Sequence, residues 1–280
     1  MQTPDLHGRP SIPLVIAHRG ARGHVPENTL ASATLGYQMG ADLLELDVNY
    51  TKDGQLVVIH DDNLLRTTNA ATVFPGRPDY RVCDFTFDEI RQLDAGSWFA
   101  ERDPYGTVAD GEVSADSLAS FTGLQVPTLE EELNFVRGKN WFVNVEIKDH
   151  QHLVGHTTVT GDVLQQIRKL DMVEQVIISS FQPQYLLECH DLCPEIATGA
   201  LLETPRPEDP VAFCRELGVN AYHPERKIVT AEDLAALRDA GLAVNIWTVN
   251  DMEEAQTLIA QGASGIITDF AGRCRQTFDA

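Results

Sequence analysis

Eight short apolar runs recur along the 280 residues, and longer amphipathic or polar stretches separate them. Most of the runs are too continuous for strands with one wet face, so they indicate strands that are buried on both faces. The runs are Leu14–Ala17, Leu43–Val48, Phe142–Ile147, Val176–Ser179, Ile196–Leu201, Val219–Tyr222, Val244–Val249 and Ser264–Thr268. Such strands in alternation with helices predict an α/β fold, the (β/α)8 TIM barrel.

The stretches between the runs carry the start signals of helices. Thr128 and Thr230 each stand three residues before an acidic residue, which is the pattern of a capping box. Asn28 and Asn250 are placed where they could cap two further helices. The helices that follow are predicted at Thr29–Met39, Leu234–Ala240 and Met252–Gln261, and the last two stop at Gly241 and Gly262.

The second run is followed by a stretch that is too short for a crossover helix. It contains Asp53 and Gly54, a strong signal for a two-residue hairpin turn. With that turn, the numbers of paired residues sum to 107, and Asp47 faces His60. We therefore expect a β-hairpin extension of the second barrel strand.

Residues 61–126 contain no strong buried-strand run, and one modest helix is opened there by Thr86 with Glu89. A long excursion inside a compact domain is usually a functional lid or a small inserted subdomain. We expect one barrel domain over residues 1–280, with an insertion subdomain at about residues 61–126.

The chain is acidic, with 21 Lys and Arg against 42 Asp and Glu and a net charge of −21. This charge repels phosphate backbones and anionic bilayers, so neither nucleic acid nor a stable membrane association is expected. With 43% hydrophobic residues, the chain is not of the disordered class. No secretory or membrane-spanning pattern is present, and the five scattered cysteines are expected to be reduced packing thiols. A cytoplasmic location follows as an expectation; the oligomeric state stays open.

Residues able to do chemistry stand where the first predicted strands end, which in a barrel is the catalytic face. They are His18 and Arg19 after the first strand, Glu45 and Asp47 in the second, His60 after the hairpin, and Glu146 and Lys148 at the third. Because side chains alternate along a strand, Glu45 shares a face with Asp47, and Glu146 with Lys148. Three carboxylates should therefore converge at one mouth of the barrel.

Such a group of residues has a specific chemical use. Three close carboxylates cannot all stay ionised without a cation, and an all-oxygen set suits Mg²⁺ or Ca²⁺. Arginine and lysine beside the metal can hold a phosphate, and two histidines supply an acid and a base. Each motif alone is weak, since a Glu-x-Asp pair usually marks a solvated strand face, but their coincidence favours a functional site.

Several motifs appear in order along the chain, and their first member is Ile16–Gly20. The others are Pro26–Thr29, Glu45–Val48, Thr51–Gly54, Val58–Asp61, Glu146–Lys148, Ser179–Phe181, Trp247–Asn250 and Gly265–Asp269. Together they resemble the glycerophosphodiester phosphodiesterase family, from about Leu14 to about Phe270. The resemblance implies a TIM-barrel hydrolase that cuts small glycerophosphodiesters into glycerol 3-phosphate and an alcohol, with one divalent metal ion.

The resemblance also implies roles for single residues. His18 and His60 would be the acid/base pair, and Arg19 and Lys148 would contact the phosphate. The metal ligands would be Glu45, Asp47 and Glu146. Trp247 would be an apolar wall near the glycerol, with packing in the barrel core as the alternative.

Some assignments stay open. A lysophospholipase D acting on lysophospholipids, or a catalytically silent phosphate-binding barrel, could use the same fold. The leaving alcohol is expected to meet mainly the polar insertion and solvent. Asp61 and Asp62 could orient His60 or merely start the excursion. The loop histidines His150, His152 and His156 are expected to be solvated, with a lid role open for the first two.

Overall fold

The computed structural model describes residues 13–151, 153 and 157–280. In these residues, nine strands form one sheet. The strands are β1 (Leu14–Ala17), β2 (Leu43–Tyr50), β3 (Leu56–Val58), β4 (Phe142–Ile147), β5 (Val176–Ser180), β6 (Ala197–Leu202), β7 (Ala221–Pro224), β8 (Ala243–Ile246) and β9 (Gly265–Thr268).

Helices cover the sheet and connect its strands. They are α1 (Leu30–Gln38), α2 (Ala70–Val73), α3 (Phe87–Ile90), α4 (Trp98–Arg102), α5 (Ala115–Phe121), α6 (Leu129–Gly138), α7 (Val159–Lys169), α8 (Pro183–Leu192), α9 (Pro210–Leu217), α10 (Ala231–Asp239), α11 (Met252–Gln261) and α12 (Ala271–Asp279). Within the described ranges, none of them combines the length and the apolar character that crossing a bilayer requires.

Eight of the strands are parallel and close into a barrel, because β1 pairs with β9 on one side and with β2 on the other. Strand β3 pairs antiparallel with the end of β2 and lies outside the ring. The predicted (β/α)8 TIM barrel is therefore confirmed. Each of the eight apolar runs overlaps a barrel strand, with ends shifted by up to three residues.

The hairpin is present, but its predicted register is wrong by one residue. Val48 pairs with Val58 and Tyr50 with Leu56, so the numbers of paired residues sum to 106. Gly54 adopts a left-handed φ of 82°, and the backbone N–H of Thr51 donates to Gln55 across a loop of three residues instead of two. Asp47 is consequently opposite Ile59, and His60 follows the end of β3.

Three predicted capping boxes are confirmed, at Thr86, Thr128 and Thr230. The two predicted asparagine caps are wrong by one residue. Thr29 caps α1, and Asp251 caps α11. The asparagine before each cap uses its side chain elsewhere: Asn28 Nδ2 donates to Asp47 Oδ2 at 2.8 Å, and Asn250 Nδ2 donates to Asp269 Oδ2 at 2.7 Å. Helix α10 also begins three residues before the predicted start.

The barrel strands divide their side chains between two cores. On β4, Val143, Val145 and Ile147 pack outward against the helices in the main core. Phe142 points inward and joins a second cluster with Ile16, Leu43, Ile177 and Ile267 at the bottom of the barrel. Because side chains alternate, every second residue after these five continues up the interior towards the mouth. The alternation along each strand therefore determines which strand-end side chains face the barrel interior at its carboxyl end.

Residues 61–126 pack in two small cores that also include residues from the barrel part. One joins Leu64 and Phe85 to Val57 and Ile59 at the hairpin. The other joins Phe99 and its neighbours to Val25 in the loop between β1 and α1. The five cysteines of the chain are buried and unpaired, in agreement with packing thiols.

Candidate active site

A cavity of about 320 Å³ opens where the parallel strands end. Seven of the eight predicted site residues line it: His18, Arg19, Glu45, His60, Glu146, Lys148 and Trp247. The eighth, Asp47, is completely buried beside them. The structure therefore brings together all the residues that the sequence singled out for chemistry, although it assigns them no roles by itself.

The three acidic side chains form one cluster. Asp47 and Glu146 are register partners on β2 and β4, and Glu45 lies two residues before Asp47 on the same face. One oxygen from each carboxylate lies within 4.8 Å of the others. All three side chains are buried, so their charges are poorly screened by water.

The pKa values reflect this crowding. Burial raises the pKa of Glu45 well above its usual value, and the charges of Asp47 and Glu146 raise it further. Burial is also the main reason for the raised pKa of Glu146. Burial would raise the pKa of Asp47 as well, but the positive charges of Arg19 and Lys148 hold it below its ordinary value.

These residues fit a hard divalent cation. The donor set consists of carboxylate oxygens only, which Mg²⁺ and Ca²⁺ prefer. Oδ1 of Asp47 is buried and accepts no hydrogen bond from the described residues, with Lys148 Nζ at 3.4 Å. A bound cation would satisfy that oxygen and allow Glu45 and Glu146 to ionise.

Arg19 is tied to the acidic cluster in two ways. Its backbone N–H donates to Glu45 Oε2 at 2.8 Å, and its Nε lies 3.3 Å from Asp47 Oδ2. The residue has a left-handed φ of 52°, a conformation that costs a non-glycine residue roughly 1–3 kcal/mol. On the opposite side of the cluster, Lys148 Nζ donates to Glu146 Oε1 at 2.6 Å.

Each histidine of the cavity has a carboxylate at the same ring nitrogen. His18 Nδ1 lies 2.7 Å from Asp269 Oδ1, and His60 Nδ1 lies 2.6 Å from Asp61 Oδ1. An ionised carboxylate only accepts, so Nδ1 of a neutral ring carries the proton and Nε2 keeps its lone pair. The geometry supports the orienting role for Asp61, one of its two predicted alternatives.

The two rings differ in their surroundings. Burial lowers the pKa of His18 to about 4, and the positive charges of Arg19 and Arg22 add to this effect. The contact with Asp269 acts in the opposite direction but does not outweigh them. The His18 ring is therefore neutral at pH 7. The His60 side chain is more exposed, at 30% against 13% for His18.

Aromatic side chains form another wall of the cavity. Trp247 meets Phe181 edge to face, with ring centroids 5.5 Å apart, and its Nε1 donates to the His223 carbonyl at 2.7 Å. Trp247 also packs against the core cluster at the bottom of the barrel. The residue thus contacts the core and also borders the cavity, and its contact with the glycerol stays a prediction.

Sequence reasoning gave no role to three residues at the site, Phe181, Glu203 and Asp269, although the first and the last stand in motifs of the resemblance. Phe181 and Glu203 line the cavity, and Asp269 holds His18. All three lie on the inward face of their strands, two residues beyond Ser179, Leu201 and Ile267. Extending the alternation past the end of every predicted strand would have found them.

The expectation of a solvated loop is wrong for His150. This residue is buried, with its ring edge-on to Tyr50 at 5.8 Å. His152 and His156 lie outside the described residues. No residue from 61–126 is among those that line the cavity, and contact of the leaving alcohol with the insertion stays a prediction.

The barrel fold and the residues that line the cavity at the ends of its strands define a TIM-barrel hydrolase. Residues 18–273 match the family model "Glycerophosphoryl diester phosphodiesterase family". The chain is 34% identical over 256 residues to a glycerophosphodiester phosphodiesterase of Caldanaerobacter subterraneus, with 91% of this chain and 93% of the relative covered. It is also 34% identical to one from Bacillus subtilis over 264 residues, with 92% and 83% covered.

A solved structure agrees. The phosphodiesterase of Oleispira antarctica in complex with the product sn-glycerol-3-phosphate is 28% identical and superposes with a TM-score of 0.80, over 96% of this chain and 98% of that one. The chain belongs to the glycerophosphoryl diester phosphodiesterase family and is an enzyme of that class.

Proposed function

We propose that this enzyme hydrolyses small glycerophosphodiesters to glycerol 3-phosphate and an alcohol, with the help of one divalent metal ion, Mg²⁺ or Ca²⁺. The observation that carries the proposal is the meeting of three carboxylates and two carboxylate-held histidines in one cavity. The named activity of the relatives and the product in the Oleispira antarctica structure support it.

Glu45, Asp47 and Glu146 would hold the metal ion, which when bound polarises the phosphoryl oxygens of the substrate. Arg19 and Lys148 border the cavity on two sides of the acidic cluster, and their charges suit a phosphodiester anion. These five residues would fix the phosphate and leave its two ester bonds between the histidines.

His18 and His60 would transfer the protons. One ring accepts a proton at Nε2 from the nucleophile, which is water or the neighbouring glycerol hydroxyl, and the other gives a proton to the leaving alcohol. The lowered pKa of His18 keeps its ring neutral at pH 7, which is the state that a proton acceptor needs. Asp269 and Asp61 would stabilise the imidazolium, which is the product state of the ring that accepts a proton and the starting state of the ring that donates one.

The size of the cavity favours small substrates. About 320 Å³ lies at the low end of ligand sites, which span roughly 300–1,000 Å³. Trp247 and Phe181 would form the wall against which the glycerol packs. A lysophospholipid would need room for an acyl chain, so the lysophospholipase D alternative has less support.

The domain division and the location stay predictions. We propose one domain over residues 1–280 with an insertion subdomain at 61–126, since the cores of that segment include Val57 and Val25 from the barrel part. A small-molecule partner, no nucleic acid and a cytoplasmic location are proposed on the grounds of sequence and charge.

The decisive experiment measures release of glycerol 3-phosphate from glycerophosphocholine, with Mg²⁺ or Ca²⁺ and with EDTA. Lysophosphatidylcholine is assayed beside it, and Glu208→Gln, an exposed change away from the cavity, is the control variant. Metal-dependent release from glycerophosphocholine is expected. A strong preference for the lysolipid would promote the lysophospholipase D alternative, and no turnover of either would favour the silent barrel.

A further inference from the structure

Each of the two aspartates that hold the histidines contacts an arginine in turn. Arg66 binds Asp61 with two donors, at 2.6 Å and 3.0 Å. On the other side, Arg22 Nε lies 3.4 Å from Asp269 Oδ1. The two pairs come from distant parts of the sequence, one from the segment after β3 and the other from the loops that follow β1 and β9.

Both arginines meet at Glu27, in the loop between β1 and α1. Arg66 donates Nη1 to Glu27 Oε2 at 2.9 Å and Nη2 to Oε1 at 2.7 Å. Arg22 Nη2 lies 3.9 Å from Oε2, and Arg19 Nη1 donates to Oε1 at 2.8 Å. Glu27 is 7% exposed and is not among the residues that line the cavity.

The contacts form a continuous row of acidic and basic side chains with a histidine at each end. Its members in order are His18, Asp269, Arg22, Glu27, Arg66, Asp61 and His60. Burial alone would raise the pKa of Glu27, but the hydrogen bond from Arg66 and the charges of the three arginines hold it well below its ordinary value. The centre of the row is therefore an anion at every working pH.

We propose that Glu27 is a positioning residue that fixes both histidines through their aspartates without touching the substrate. Removing its charge would leave three arginines without their shared carboxylate, and the contacts of Arg22 with Asp269 and of Arg66 with Asp61 would then change in geometry. Both imidazoles would lose part of what fixes their orientation and the position of Nε2, although Asn250 still donates to Asp269 at the His18 end. This inference rests on the proposed function for its kinetic consequences, but its structural consequence is independent of it.

The kinetic test uses Glu27→Gln, which keeps the shape of the side chain and removes its charge. We expect kcat for glycerophosphocholine to fall roughly 10- to 100-fold, as outer partners of site residues commonly give, with KM changed less than about threefold. Glu112→Gln is the matched control, because Glu112 also holds an arginine and a histidine but does not border the cavity. A Glu27→Gln variant with kcat within threefold of the parent would overturn the proposal.

A double variant separates positioning from general damage. If Glu27 acts through Asp61, the loss of kcat in Glu27→Gln with Asp61→Asn will be at least threefold smaller than the product of the two single losses. Equal values would mean independent action and contradict the proposal. Should Glu27→Gln fail to fold, Arg66→Lys replaces it, because lysine keeps the charge but cannot bridge two carboxylates as a fork. A normal kcat in Arg66→Lys would likewise contradict the proposed positioning role.

A spectroscopic readout works even if the enzyme turns over no glycerophosphodiester. Long-range ¹H–¹⁵N spectra report which nitrogen of each histidine ring is protonated, and His18→Ala and His60→Ala spectra assign the two signals. We expect Nδ1-protonated rings in the parent and a tautomer mixture for both in Glu27→Gln, with His223 unchanged. Unchanged His18 and His60 signals would refute the inference, whereas an inactive parent protein would refute only the proposed function.

Discussion

Asp47 and Glu146 stand side by side, in register, on the neighbouring parallel strands β2 and β4. Two buried carboxylates in this relationship repel each other unless a cation lies between them. Glu45 adds a third carboxylate to this pair.

We expect that removing the metal ion with EDTA abolishes hydrolysis and that Mg²⁺ or Ca²⁺ restores it. Asp47→Asn should weaken binding of the added ion at least 10-fold by calorimetry, because it removes one charged ligand. Glu208→Gln should bind as the parent does. Full activity in a preparation shown by elemental analysis to be metal-free would exclude the metal from the mechanism.

His18→Ala and His60→Ala should each lower kcat by about 10²-fold or more, because each removes one proton transfer. Circular dichroism should show that both variants keep the fold. A folded variant with nearly normal turnover would remove that histidine from the mechanism.

Trp247→Ala should raise KM for glycerophosphocholine, glycerophosphoethanolamine and glycerophosphoglycerol together, because the indole is expected to pack on the glycerol that all three share. The parent enzyme should give comparable kcat/KM for the three. Trp247→Phe keeps an aromatic wall and serves as the control. An effect confined to one substrate would instead place the indole beside the leaving alcohol.

Gly199→Ala should destabilise the barrel. A Cβ at this position would lie 2.7 Å from Cε1 and Nε2 of the His223 ring, which is fully buried and cannot retreat without repacking. Overpacking of this kind typically costs about 1–3 kcal/mol, measured by urea denaturation. Gly138→Ala, where nothing lies within 4 Å, should not destabilise. Equal stability of the two variants would show that the His223 ring can shift to accommodate the added Cβ at little cost in free energy.

His223 should make stability depend on pH. Burial lowers its pKa to about 4, so the unfolded chain binds more protons than the folded one between about pH 4 and 6.5. The stabilisation is complete above pH 6.5 and is lost as the pH falls towards 4; for one such group this amounts to roughly 2 kcal/mol between pH 8 and pH 5. Between pH 8 and pH 5, the free energy of unfolding of His223→Gln should fall by roughly 2 kcal/mol less than that of the parent, measured by urea denaturation at both pH values. An unchanged difference would mean that His223 does not contribute.

Much of the fold could be predicted because its strands are buried on both faces and their apolar runs leave a plain signal. The hairpin register could not, since a left-handed Gly54 serves a two-residue and a three-residue loop equally well. The burial of His150 is set by the approach of Tyr50 and Tyr185, which no local pattern records.

The site was predictable where reactive residues cluster in short motifs at strand ends. The role of Asp269 was not predicted because its partner His18 is 251 positions away in the chain. Only the closure of β9 against β1 brings the two together.

The alternation of side chains along the barrel strands assigns adjacent residues to separate tasks. On β4, Ile147 packs against the helices while Glu146, its immediate neighbour, faces the reaction. A substitution at an outward position is therefore expected to change the stability of the barrel, and one at the next position to change the shape and charge of the cavity. Phe181, Leu201 and Glu203 all line the cavity, so substitutions there are expected to alter substrate selection more than they alter the packing between barrel and helices.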